Sequence, residues 1–374
     1  MKITILALHL GYGGIEKFVS NVANMFAKNN EVEIISVYKL YDKPSFYIDP
    51  NVKITYLLDN LKPNREEFYY CLKHFKPFSL IKEGVKSLKI LYLKKSKMKK
   101  AIKKLNGDVV ISTIIPHNKL LSKYGKSSIK KIATEHNYNA LNNKYIKNVT
   151  TSCKNLDYLV IASKKLYKLY SEKLKDEKCE VVNIPLSLDY IPEKKSNLEN
   201  KEITYIGRLS QEKGVLDLID VFSLVHKKNN DCILNVIGDG NEKNNMLKKI
   251  KEYGLENNII MHGFKNKDEI EKILLNTSIG INTSFTESFG LSILETFSYG
   301  IPCVAFSSAE GVKEIIDNNI NGFIIQDRNK EKMAGKIINL LNDKERRIEF
   351  GTMAIEKSLK FKPENIKQYW LKLM

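Results

Sequence analysis

The chain has 374 residues, of which 43% are hydrophobic and 28% charged, and its formal net charge is +18. That apolar content excludes a disordered chain, and the length calls for two domains rather than one core. Nowhere do about 18 apolar residues run uninterrupted, which excludes a membrane-spanning helix.

The opening stretch MKITILALHL lacks a cleavage site and reads as a buried strand over 2–9, not as a signal peptide. A glycine loop follows, then a helix near 15–28 with Phe18, Val22 and Met25 on one side. Further strands are expected at 31–38, 52–58, 107–113, 129–135 and 157–163. The segment 187–202 is polar, contains Pro192 and has no period, so it reads as a linker. The alternation then restarts, with strands at 203–209, 232–240, 258–264, 278–284, 301–307 and 322–327. Each is followed by a helical pattern. Strands alternating with helices specify an α/β protein with parallel sheets covered on both faces. Two doubly wound sheets are expected, with ligands beyond the carboxyl ends of the strands.

The charge is unevenly placed. Residues 1–190 carry 34 Lys+Arg against 17 Asp+Glu, whereas the remainder is nearly balanced. The basic half should face something anionic. Residues 82–104 hold ten lysines and one acid, Glu83. Val85, Leu88, Leu91, Tyr92, Met98 and Ile102 recur there at roughly helical spacing, as in an amphipathic helix lying on an anionic bilayer. Lys86, Lys89, Lys94, Lys95, Lys97, Lys99 and Lys100 are the expected membrane contacts. The alternative is the solvated face of a core helix. The five cysteines are scattered, form no CxxC pair and read as reduced thiols of a cytoplasmic protein; the six histidines show no metal-ligand spacing.

Several strand ends carry chemistry. In ESFGLSILE (287–295), Gly290 falls near a helix start. Free amides and the helix dipole there suit an anion such as a diphosphate. Glu287 lies just before that point and Glu295 one to two turns into the helix. Carboxylates are poor phosphate ligands but good acceptors for sugar hydroxyls, so the pattern suits a nucleotide sugar. A capped helix with two surface acids fits these residues equally well. In IGRLSQEKG (206–214), Arg208 and Lys213 stand where two cations would neutralise a diphosphate leaving group; a solvated loop is the plainer reading. The Gly13–Gly14 pair permits close backbone approach at a helix start, or makes a plain tight turn. It is not GxGxxG, and no acid stands at the ribose distance, which weighs against a dinucleotide dehydrogenase. TEHN (134–137) ends a strand with His136 between an acid and an amide. VIGDG (236–240) and MHGF (261–264) are further strand ends, where Asp239 shapes a turn and Phe264 is either core or ligand contact.

Taken in order, the Gly-Gly loop, TEHN, IGRLSQEKG, VIGDG, HGF, the glutamates eight apart, YGIPCVAF and NGFII resemble the retaining glycosyltransferase family 4. The resemblance runs along the whole chain and is strongest over 203–327. It implies the GT-B fold: two doubly wound Rossmann-like domains facing a central cleft. Residues 1–187 would bind acceptor, 188–360 would bind nucleotide sugar, and a last helix in 361–374 would pack back on the first domain. It further implies that Arg208 and Lys213 grip the donor diphosphate, opposite the backbone around Ser288, Phe289, Gly290 and Leu291. Glu295 would take the ribose hydroxyls and Glu287 those of the transferred sugar. His136 would lie near the reacting carbon, Gly13 and Gly14 would approach donor and acceptor, and Phe264 would lie near the base.

The activity so implied is retaining transfer of a hexose or N-acetylhexosamine from a nucleotide sugar, UDP-linked by preference. The acceptor would be a glycan or a lipid-linked glycan of the bacterial cell surface. The resemblance also implies no cofactor and no obligatory metal, which fits Arg208 and Lys213 as suppliers of positive charge and the lack of a DxD pair at a strand end. The enzyme would sit on the inner face of the plasma membrane. Three rivals stand beside this reading. A nucleic-acid binder has charge but no recognised module. A phosphorylase or nucleotide-sugar epimerase of related fold lacks, respectively, an identifiable cofactor lysine and support from the glutamate pair. A basic non-catalytic subunit is disfavoured by intact Arg208, Lys213, Glu287 and Glu295.

Overall fold

A computed structural model of the protein describes residues 1–137 and 142–374. The chain forms two compact units: Met1–Ala162 with Leu166–Ile184 and Lys367–Met374, and Ser163–Lys165 with Pro185–Ile366.

The first unit is built on β1 (Lys2–Ala7), β2 (Glu31–Tyr38), β3 (Lys53–Leu58), β4 (Val109–Ser112), β5 (Lys130–Glu135), β6 (Tyr158–Ile161) and β7 (Glu180–Asn183). They form one sheet in the order β3-β2-β1-β4-β5-β6-β7, every pair parallel. Helices cover both faces, so central strands must be apolar throughout. KITILA of β1 and VVIS of β4 are accordingly buried almost completely. Strand order reverses between β1 and β4, which places a crevice at their carboxyl ends. Helix Gly14–Ala27 returns from β1 and buries Phe18, Val22 and Met25, the face expected from its spacing. Trp370, 1% exposed, packs within this unit at 6.0 Å from the Phe18 ring.

Strand β7 was not expected. Only Val181 and Val182 are apolar in EVVN, too short a run to read as a strand. It forms because β6 offers a free edge, pairing Leu159 with Val181 and Val160 with Val182.

Helix Pro77–Lys104 corrects the expected amphipathic pattern. Its apolar residues do not share one face. Ile90, Met98 and Ile102 are buried in the core of the unit. Phe78, Ile81, Val85, Leu88 and Tyr92, spaced by three and four, form a separate stripe that is 62–88% exposed. The lysines divide too. Lys97 Nζ donates to the Leu57 carbonyl at 2.7 Å, Lys99 lies 4.6 Å from the Tyr124 ring, and Lys94 is half-buried. Lys86, Lys89, Lys95 and Lys100 remain exposed, Lys86 within 3.7 Å of Glu83. The helix both completes a core and presents an uncovered surface, and a sequence period cannot separate those two demands.

The second unit contains β8 (Glu202–Ile206), β9 (Ile233–Ile237), β10 (Ile259–Gly263), β11 (Ile279–Asn282), β12 (Cys303–Phe306) and β13 (Gly322–Ile325). Their order is β10-β9-β8-β11-β12-β13, again all parallel. The order reverses between β8 and β11, so the loops leaving these two strands flank the crevice of this unit. Among the described residues, no helix is long and apolar enough to cross a membrane.

Candidate functional site

In the second unit, the loop after β8 carries Arg208 and Lys213, and the loop after β11 carries Glu287 and Ser288. Because β8 and β11 are sheet neighbours, residues far apart in sequence are brought together. Hydrogen bonds join the two loops: Phe285 N donates to the Glu212 carbonyl at 2.8 Å, and the Thr283 side-chain Oγ1 donates to the Lys213 carbonyl at 3.1 Å. Gly214 sits at φ 63, and a Cβ there would lie 2.2 Å from the Thr283 carbonyl oxygen. Only glycine allows this approach.

The contact is completed by an ion pair. Lys213 Nζ lies 2.5 Å from Glu287 Oε2, with both side chains largely buried. Glu287 is also held through its backbone, whose carbonyl accepts from Gly311 N at 2.8 Å. Gly290, at φ 99, caps helix Leu291–Ser298 and turns the chain so that the helix starts beside Glu287. Leu291 is the first residue of that helix, and Glu295 stands in its second turn. The Phe289 side chain belongs to the core, 2% exposed and 5.7 Å from the Phe361 ring, so this residue offers a ligand only its backbone. Ser288 is half-buried in the same turn.

Arg208 is placed differently. Its guanidinium is 60% exposed and pairs loosely with Glu212 at 3.9 Å. It is thus a cation held near the loop contact without being committed to it. Tyr205 lies beneath, its hydroxyl donating to the Arg208 carbonyl at 3.1 Å. Burial, with the charges of Glu287 and Glu212, pushes the Tyr205 phenol up, so it stays neutral. On β9's exit, Asp239 accepts from Gly240 N and pairs with Lys243, which is the turn-shaping role expected for it. Phe264 is 49% exposed just beyond β10.

Three features carried no readable signal. Ser210 Oγ and Ser284 Oγ are buried on the two loops with no hydrogen-bond partner among the described residues. Arg328 knits the loop bases together: it donates to Asp217 at 2.5 Å, to the Thr283 and Ser284 carbonyls and to Ser308 Oγ, and it stacks 3.5 Å from the Phe285 ring. Burial works against the Asp217 carboxylate, but hydrogen bonds from Arg328 and Lys330 outweigh it and hold the group below its ordinary value.

In the first unit, Gly13 precedes helix Gly14–Ala27 in an extended conformation. A Cβ on Gly14 would meet nothing within 4 Å, so the helix start is open. Glu16 of this helix pairs with His9 at 3.2 Å. His136 follows β5, half-buried, with Nε2 2.7 Å from Thr134 Oγ1 and its ring 4.5 Å from that of Phe18. Burial lowers its pKa to about 4, so the ring is neutral at physiological pH. Glu135 beside it accepts from Asn137 N at 2.7 Å and from the Tyr145 hydroxyl at 2.9 Å. The TEHN segment therefore holds a neutral imidazole just beyond the end of β5.

Comparisons with known proteins bear on this geometry. The family model Glycosyl transferases group 1 matches residues 189–357, which include both loops and the helix start. An uncharacterised glycosyltransferase of Haemophilus influenzae is 27% identical over 99% of this chain and 98% of its own length. A poly(ribitol-phosphate) alpha-N-acetylglucosaminyltransferase of Staphylococcus aureus is 33% identical over 46% of this chain; the aligned part is 35% of that longer protein. Among solved structures, a Staphylococcus aureus TarM mutant in complex with fondaparinux, alpha-GlcNAc-glycerol and UDP superposes with a TM-score of 0.78 at 17% identity, covering 100% of this chain and 99% of that one. At that identity the likeness carries the fold. The chain thus contains a glycosyltransferase domain of the Glycosyl transferases group 1 family at residues 189–357, in a protein with the GT-B fold.

Proposed function

We propose that the protein is a retaining, metal-independent glycosyltransferase of family 4. It moves a hexose or N-acetylhexosamine from a UDP-sugar to a hydroxyl of a glycan or lipid-linked acceptor in bacterial surface-polysaccharide synthesis. The observation that carries this reading is the Lys213–Glu287 pair, held where the loops of β8 and β11 meet, beside the start of helix Leu291–Ser298. One cation, one carboxylate and a row of backbone amides at one point match a diphosphate joined to a sugar. The likeness to a structure that contains UDP supports the choice of nucleotide.

In this reading Arg208, Lys213 and the amides of Gly290 and Leu291 hold the diphosphate. Glu287 takes hydroxyls of the transferred sugar, Glu295 those of the ribose, and Phe264 lies at the base. In the first unit, His136 serves the reacting sugar, and the loop of Gly13 and Gly14 serves donor and acceptor. The anomeric C–O bond to the β-phosphate breaks while the acceptor oxygen bonds to the same face of the carbon. The acceptor proton passes to the departing phosphate oxygen. Arg208 and Lys213 stabilise the charge that gathers on the phosphate, so no metal is required.

Calorimetric titration with UDP, GDP and ADP in the presence of EDTA tests this. Saturable binding of UDP without added metal is the expected result. Absence of binding by all three would remove the donor site and leave a non-catalytic role.

The same reading places the protein on an anionic membrane surface. Along helix Pro77–Lys104 one face begins with the exposed stripe Phe78, Ile81, Val85, Leu88 and Tyr92 and continues, at the same spacing, into Ser96, Lys99 and Lys103. Lys82, Lys86 and Lys89 flank it. The only acid of the helix, Glu83, accepts from Asn64 and is turned inward. A second copy would bring lysine rows against each other, whereas anionic headgroups complement them.

A further inference from the structure

At the carboxyl edge of the first unit's sheet lies a cavity of about 300 Å³ that the donor residues do not touch. It forms where the chain leaves β2 and β3. Lys39, Tyr41 and Asp42 line one side, and Tyr56, Asp59 and Lys62 the other. Its volume is at the lower end of the range for small-ligand sites, which start at roughly 300 Å³.

The wall is fixed although segment 39–50 contains no helix or strand. Ser45 N donates to the Leu10 carbonyl at 2.9 Å, and Asn24 of the first helix bonds both the Tyr47 carbonyl and Asp49 N. Tyr41 joins the cavity to the glycine loop. A Cβ on Gly11 would come within 3.1 Å of the Tyr41 ring, so glycine there lets the ring lie against the loop. Tyr12 of the same loop meets Tyr41 edge-on at 5.9 Å, and Tyr41 is still 52% exposed. Aromatic surface therefore runs from the loop after β1 to the cavity at β2 and β3. That is one to two strand spacings, roughly 5–10 Å.

Charge decides what fits. The unit as a whole is strongly basic, yet this cavity balances two lysines with two aspartates. A phosphate would meet Asp42 and Asp59 as well as the lysines. A neutral sugar ring uses the whole set: its C–H face covers a tyrosine ring, its hydroxyls donate to the carboxylates, and its oxygens accept from the lysines. Burial and the nearby Asp59 push the Tyr56 phenol up, so its hydroxyl remains a donor.

We infer that this cavity is a subsite for a neutral sugar residue of the acceptor glycan, one or two units from the hydroxyl that is glycosylated. The inference rests on the glycosyltransferase reading above. It adds that the acceptor is recognised by an internal sugar as well as by its reacting end.

Saturation-transfer NMR with the methyl α-glycosides of glucose, galactose and N-acetylglucosamine tests it, on the wild-type protein and on Asp59→Ala and Tyr56→Ala. At least one glycoside should receive saturation from the wild type, and its affinity should fall at least fivefold in both variants. UDP titrations should be unchanged in the same variants, since Tyr56 and Asp59 lie outside the proposed donor site. Asp59 is exposed, so its replacement leaves the core intact even where Tyr56→Ala does not fold. No signal from any glycoside, equal affinity in wild type and Asp59→Ala, or displacement of the glycoside by inorganic pyrophosphate would each overturn the inference. UDP binding without glycoside binding would sink the subsite alone. Glycoside binding without nucleotide binding would sink the transferase reading and keep the cavity as a sugar site.

Discussion

Lys213 and Glu287, 74 residues apart in the chain, meet at 2.5 Å with their side chains only 22% and 17% exposed. In the free protein each neutralises the other. An ammonium has three protons, so Lys213 can keep Glu287 and gain a phosphate oxygen. A donor bound as proposed would meet a preassembled charge pair instead of two mobile side chains, which would lower the ordering cost of binding.

This fixes the expected behaviour of Glu287→Ala. Its carboxylate is assigned to the transferred sugar, so kcat/KM should fall by roughly 10²–10³, the size of losing one group that stabilises the transition state. UDP has no such sugar, and Lys213 is freed from its partner, so the calorimetric Kd for UDP should stay the same or tighten. Unchanged turnover at unchanged UDP affinity would remove Glu287 from the mechanism.

Arg208→Ala should separate from it. Its partner Glu212 is exposed and 3.9 Å away, so the thermal midpoint should barely move. The loss of a charged phosphate contact is worth about 1.5–3 kcal/mol, or roughly 10–100-fold in UDP affinity. Wild-type UDP binding by this variant would contradict the diphosphate assignment.

Most of the scaffold was legible in the sequence because buried parallel strands are written as apolar runs between turns. EVEIISVY is a strand over its whole predicted length, Glu31–Tyr38. The edge strand β7 was not legible, since its existence depends on the free edge of β6 and hardly on its own residues. Within the site, Lys213 and Glu287 could each be named from local context, but their mutual contact comes from β8 and β11 being neighbours. Arg328 had no local sign at all. Its carboxylate partner lies 111 residues away, and its importance is purely tertiary.

Arg328→Ala should therefore act on stability first. It removes a guanidinium that pairs with Asp217, covers Phe285 and satisfies the carbonyls of Thr283 and Ser284. Breaking a buried pair costs about 3–5 kcal/mol. Asp217 keeps Lys330 at 2.6 Å, so the loss should fall at or just below the bottom of that range, about 2–3 kcal/mol, read as a lowered denaturant midpoint. A midpoint within error of wild type would show that the loop bases hold without it.

His117 predicts an acid-side loss of stability. It is 2% exposed, and burial, which outweighs the opposing effect of the Leu6 backbone and is joined by the charge of Lys94, lowers its pKa from 6.5 to about 4. Between those values the unfolded chain binds the proton and the folded chain does not. Stability is then full above about pH 6.5 and falls as pH drops toward 4, by at most about 3 kcal/mol. His136 acts in the same sense, so the test is a difference. His117→Leu should lose less stability than wild type between pH 7.5 and 4.5 in urea titrations. Equal losses would mean that the His117 ring is solvated in the native state.

The surface helix gives the last expectation. Among the described residues, ten of the 23 large exposed hydrophobic side chains lie between Tyr69 and Tyr92, so this short stretch concentrates apolar surface that the fold leaves uncovered. Vesicles containing phosphatidylglycerol should co-sediment the protein, and phosphatidylcholine vesicles should recover far less. Each lysine near an anionic surface contributes about 1 kcal/mol, so Lys86→Glu with Lys89→Glu should weaken the interaction by well over tenfold. Phe78→Ser with Leu88→Ser should weaken it as well while leaving its salt dependence in place, because the apolar stripe and the lysines act through different forces. Equal recovery on neutral and anionic vesicles would overturn the membrane assignment. Concentration-dependent dimerisation that Leu88→Ser abolishes would instead hand the stripe to a second copy of the chain, despite the lysine rows that such a dimer must bring together.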